Sequence, residues 1–121
     1  MPNFERSRLV WRDHLLRWGG DSALSAKAVK NGVTRPMVMA MSSWSPRERA
    51  SLALEGAVRI IVSAYQVAVN DWIDWETDLL WFNGVEYKIG IEPLAPRPDG
   101  RPIAWDCACV RLREVTEEEL S

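Results

Sequence analysis

Four carboxylates, Asp71, Asp74, Glu76 and Asp78, fall within residues 71–78, interleaved with Trp72 and Trp75. A set this dense can wrap a hard cation, since calcium takes about six to eight oxygen ligands. Paired carboxylates can also shuttle protons. The spacing lacks the EF-hand order, its glycine and its late bidentate glutamate. The expected reading is therefore a solvated acidic loop or an interface patch. His14 is the only histidine, and no nucleophile in the sequence is singled out as its partner. Cys107 and Cys109 stand two apart, so on a strand they share one face. That geometry suits neither a disulfide nor a CxxC redox pair, and two thiols make a weak zinc site. Reduced, small core residues are expected. No GxGxxG, P-loop, HExxH or GxSxG pattern occurs. No enzyme activity, cofactor or metal is expected.

Tryptophan carries the remaining chemistry. The chain holds seven Trp against two Tyr and two Phe. Trp11, Trp18, Trp81 and Trp105 are assigned to the core. Trp44 precedes a helix cap as a hydrophobic staple and is an interface candidate. Trp72 and Trp75 sit among acids, where stacking on single-stranded bases lacks the cationic groove it needs. A protein interface, where Trp brings large area at low entropy cost, is the better fit. Arg97, Asp99 and Arg101, in a proline-rich segment, complete the interface candidates with Trp44, Asp71, Trp72, Asp74, Trp75, Glu76 and Asp78.

These residues need a scaffold. The 121 residues, 47% apolar and 26% charged, fit one domain, residues 1–121, and exclude wholesale disorder. No apolar run approaches the ~20 residues that span a bilayer, and residues 1–8 lack the apolar region of a secretory signal. A soluble chain made in the cytoplasm, with no membrane partner, is expected. The net charge of −2 hides a division. Residues 1–49 carry nine Lys/Arg against four Asp/Glu, and residues 50–121 carry six against thirteen. An overall basic nucleic-acid binder is disfavoured, whereas copies with unlike halves can attract one another head to tail.

Residues 3–18 predict a helix, with Phe4, Trp11, Leu15 and Trp18 on one stripe and Gly19-Gly20 ending it. Asn31-Gly32 predicts a hairpin between residues 26–30 and 33–41, broken locally at Pro36. Met37, Met39 and Met41 recur at period two, as on a strand face. Ser45-Pro46-Arg47-Glu48 is a helix start with a capping box. Residues 57–69 predict a central strand, and Asn83-Gly84 a second hairpin joining residues 79–82 to 85–91. Residues 93–102 predict a loop, 103–112 the last strand and 116–120 a short acidic tail. The expected fold is mainly β (α+β), a small barrel or sandwich with an N-terminal helix and one short inserted helix. Its parts are helix 1–20, β-rich core 21–113 and acidic tail 114–121.

Asp78-Leu79-Leu80-Trp81-Phe82-Asn83-Gly84-Val85-Glu86-Tyr87-Lys88-Ile89 resembles the D-x-(I/L)-x-h-x-G-x-x-Y-x-(I/V) hairpin of small tailed-phage neck proteins. Those are the head-closure (stopper), head–tail joining and tail-completion proteins, and the resemblance extends over residues 26–112. It implies a structural virion or prophage protein. Such a chain assembles as a homo-oligomeric ring on the portal–adaptor complex or the tail-tube end, and seals a channel through which DNA passes without specific binding. Its location would be the virion, and the host cytoplasm before assembly. The alternative expectation is a small SH3-like or OB-like module that grips a peptide or single-stranded nucleic acid through Trp72, Trp75 and the proline-rich loop.

Overall fold

Both Asn-Gly pairs fold as tight hairpin turns. In the computed structural model, which describes residues 4–52, 54, 56–94 and 102–120, Asn31 and Gly32 have φ of 52° and 78°, and Asn83 and Gly84 have 51° and 82°. Two successive left-handed residues give the turn whose twist matches paired strands. The first turn joins β1 (Lys27–Lys30) to β2 (Val33–Pro36), the second β5 (Leu79–Phe82) to β6 (Val85–Ile89). With β3 (Met39–Ser42), β4 (Val58–Ser63) and β7 (Ala104–Glu114) they form one antiparallel sheet. Its order is β2-β1-β5-β6-β7-β4-β3, and it curls into a half-barrel. The fold is thus mainly β and barrel-like, with an N-terminal helix, α1 (Phe4–Gly19), and a short inserted helix, α3 (Pro46–Ser51).

The two edge strands of this sheet, β2 and β3, are consecutive in the chain. Pro36 has no N–H to give, and the ladder changes partner just beyond it. Met37 donates its N–H to the Ala26 carbonyl at 3.2 Å, while Val38 accepts from the Ser63 N–H at 2.8 Å. Residues 33–42 therefore form one bent seam, held by β1 in its first half and by β4 in its second.

Strand alternation then sorts the side chains. Ala28, Met39, Ile60, Val62, Leu80, Phe82, Tyr87, Ile89, Trp105, Cys107 and Cys109 point into the curl and make the main core. The opposite face of β3, β4 and β7 presents Ala40, Ile61 and Ala104 to Leu15 of α1, with Trp11 at the margin. Arg8, buried on α1, donates from Nε to the Pro102 carbonyl at 2.9 Å, which fixes the helix beside the start of β7. No helix of the described residues is long and apolar enough to cross a membrane.

Three expectations are corrected. Trp18 is 56% exposed and stacks on His14 at 5.8 Å instead of entering the core. The chain turns at once after α1, with Gly20 at φ 55°, so α2 (Asp21–Ser25) seats Ala23 there instead. A Cβ on Gly19 would lie 2.7 Å from that of Ala23, so this junction needs a bare backbone. The strand expected over 57–69 stops at Ser63. Ser63 Oγ accepts the Tyr65 N–H at 3.1 Å, and Gln66 turns left-handed at φ 58°. A hydroxyl that bonds local backbone competes with the ladder. Met41, third in the Met series, is 39% exposed on the edge strand β3, although its ladder partner Ile60 is buried. The loop expected over 93–102 lies largely outside the described residues; its first part bridges Leu94 to Asp106.

Candidate functional site

The acidic segment is a braced structure. After a single 3₁₀ turn at Val69–Asp71, the chain folds back on itself. The Asp74 carbonyl accepts from the N–H groups of Thr77 and Asp78 at 3.2 and 2.8 Å, and Asp74 Oδ1 accepts from Glu76 N–H at 3.2 Å. Asp78 Oδ2 accepts from Asp74 N–H at 2.9 Å. The four carboxylates thereby take different roles. Asp78 is 1% exposed and faces inward, whereas Asp71, Asp74 and Glu76 remain on the surface. Among the described residues no group of three His, Cys, Asp or Glu side chains is placed to hold a metal ion.

Two cations from the first hairpin brace the segment. Arg35 Nη2 donates to the Asp71 carbonyl at 2.6 Å and to Asp78 Oδ2 at 3.3 Å. Lys30 Nζ donates to the Asn70 and Trp72 carbonyls at 3.3 and 3.4 Å. Asp78 Oδ1, Trp72 Nε1 and Arg35 Nε and Nη1 are buried with no hydrogen-bond partner among the described residues. This corner carries uncompensated desolvation, so its one ion pair is costly to break. Trp72 and Trp75 are half-buried and pack with Ile73 against the main core. They anchor the segment, and the carboxylates between them form its outer surface.

Trp44 stands elsewhere, between α3 and the sheet. Its Nε1 donates to the Ala57 carbonyl at 3.2 Å, and the Arg59 guanidinium lies 5.1 Å from its ring centroid. Arg59 is itself held by a two-pronged contact with Asp106, at 3.0 and 2.7 Å, whose hydrogen bonds raise the guanidinium pKa. Trp44 is thus clamped within its own fold, apart from the acidic segment. Arg97, Asp99 and Arg101 lie outside the described residues.

Lys30, Arg35 and Arg59 were not singled out from the sequence. Arg35 and Asp78 are 43 residues apart, and no local pattern links them. Their contacts also revise the charge division. Arg35–Asp78, Lys27–Glu117 and Arg59–Asp106 are ion pairs within one chain, and the first two join the basic half to the acidic half. Part of the attraction expected between copies is therefore spent inside the fold.

The thiols lie in the curl. Cys107 and Cys109 are free and buried. The pKa of Cys107 is pushed well up, first by its hydrogen bond with Cys109 and then by burial. A neutral, enclosed thiol is no nucleophile. His14, between Trp11 and Trp18 at ring separations of 6.3 and 5.8 Å, is part of an aromatic ladder along α1. No protein-family model matches the chain, and neither a curated protein nor a solved structure does.

Proposed function

We propose that the chain is a structural component of a tailed-phage or prophage neck, which assembles as a ring on the portal–adaptor complex or the tail-tube end. The acidic segment carries this reading. It is anchored from beneath by Trp72, Trp75 and the buried Asp78, and it turns Asp71, Asp74 and Glu76 outward. A fixed carboxylate surface of this kind suits the wall of a channel, because it repels phosphate and lets DNA slide. The resemblance of residues 78–89 to the neck-protein hairpin is consistent with the same reading. Tyr87 and Ile89 of that hairpin fill the curl, and Gly84 makes its turn.

Native mass spectrometry of the chain with a tailed-phage portal–adaptor complex tests the assignment. Several copies bound to one connector are expected. A chain that stays unbound at every ratio overturns it. Quenching of Trp fluorescence by a single-stranded oligonucleotide, steeply weakened by salt, would turn the reading toward a small binding module. In the virion, Lys at positions 71, 74 and 76 is expected to slow DNA ejection, and unchanged infectivity argues against the channel placement.

A further inference from the structure

Besides the edge strands β2 and β3, the end of β7 has a strand partner on one side only among the described residues. β7 is eleven residues long, but its ladder with β4 ends at the pair Val58–Cys109. Beyond that point, among the described residues, it pairs with β6 alone, through Glu114 opposite Val85. Residues 111–114 are exposed, Leu112 at 49%.

The register shows which backbone groups face outward. Gly90 donates its N–H to the Ala108 carbonyl, so alternation turns Val110 toward β6 and Arg111 away from it. Leu112 is the extra residue of a bulge, since Arg111 pairs with Tyr87 and Arg113 with Glu86. Val115 donates to the Gly84 carbonyl, so Glu114 again faces away. The open edge therefore offers the N–H and C=O of Arg111 and of Glu114, three residues apart.

We propose that this edge pairs antiparallel with the same edge of a second copy. Centred between Leu112 and Arg113, a two-fold axis sets Arg111 opposite the second copy's Glu114, and Glu114 opposite its Arg111. Both outward-facing residues of each copy then meet outward-facing residues of the other. The bulge makes their spacing equal on the two strands, and each position finds the opposite charge. Arg111 Nη2 and Glu114 Oε1 already lie 2.9 Å apart on the surface, so the same two groups exchange partners at little desolvation cost. A bulge and charged side chains normally guard an edge against foreign strands. Here their order matches a copy of itself in one register. Such a contact closes at two copies, so it is separate from any ring, and its failure leaves the neck reading untouched.

Sedimentation equilibrium of the full chain tests it. The wild-type mass is expected to rise with concentration from 13.8 kDa toward twice that value. Arg111→Glu sets like charges opposite each other and is expected to abolish the rise, and Arg111→Glu with Glu114→Arg to restore it. Arg111→Pro removes the guanidinium together with an N–H that faces away from β6 and is expected to abolish it too, with an unchanged circular dichroism spectrum as the control for folding. A monomeric wild type at every concentration, or an Arg111→Glu chain that associates as the wild type does, overturns the proposal.

Discussion

Arg35 Nη2 lies 3.3 Å from Asp78 Oδ2, with the carboxylate wholly buried and the guanidinium side chain 16% exposed. The pair joins the first hairpin to the residue that opens the second, across the base of the acidic segment. Removing one partner strands the other charge in a poorly hydrated corner. Asp78→Ala is expected to cost about 2–3 kcal/mol, read from urea denaturation. An Arg35→Met, Asp78→Leu double variant should lose less than the sum of its singles, and a double-mutant cycle measures that coupling.

The thiols should be silent in the native state. The hydrogen bond with Cys109 and then burial hold Cys107 in its neutral form, its pKa well above the ordinary thiol range. With a thiol reagent at pH 8, no reaction is expected in buffer and two equivalents per chain in denaturant. A fast native-state phase would place one thiol at the surface.

Glu48 closes the cap of α3: Ser45 N–H donates to Glu48 Oε1 at 3.0 Å, and Glu48 N–H donates to Ser45 Oγ at 3.1 Å. The backbone hydrogen bond from Ser45, followed by the side-chain one, lowers the Glu48 pKa. A carboxylate depressed in the folded state contributes stability that is present above its unfolded pKa and lost as pH falls through the folded one. The wild type should therefore exceed Glu48→Gln in stability at neutral pH, and the gap should close on acidification below the ordinary carboxylate range. Thermal melts across pH read the difference.

The tryptophans should divide by accessibility. Trp105, 2% exposed in the curl, is expected to cost about 3–5 kcal/mol on replacement by Ala. Trp18→Phe should remove the most iodide-quenchable part of the fluorescence with little effect on stability. Trp72→Phe should leave that quenchable part in place.

Local chemistry made much of this legible. Turn residues with left-handed preference marked both hairpins, and Ser45, Pro46 and Glu48 marked α3 with its full capping box. Period-two patterning put Cys107 and Cys109 on one inward face. What stayed hidden depended on residues far apart. Trp72 and Trp75 look exposed beside acids, because nothing local shows that the core lies behind them. Trp18 fits the apolar stripe of α1, but the sharp exit at Gly19-Gly20 leaves it outside. The −2 balance concealed a second fact, that Lys27 and Arg35 meet their acids within the same chain.

The position of β7 has a consequence for how the protein comes into being. Without it, β2, β1, β5 and β6 form one ribbon and β4 with β3 another, with no ladder pairing between the two. During vectorial synthesis the N-terminal strands emerge first, yet the two ribbons cannot be merged until residues 104–114 leave the ribosome. Native order should then arrive late and all at once, through contacts distant in sequence that close slowly. Until that moment the nascent chain exposes two unfinished sheet margins, so a holdase that shields strand edges would raise its yield.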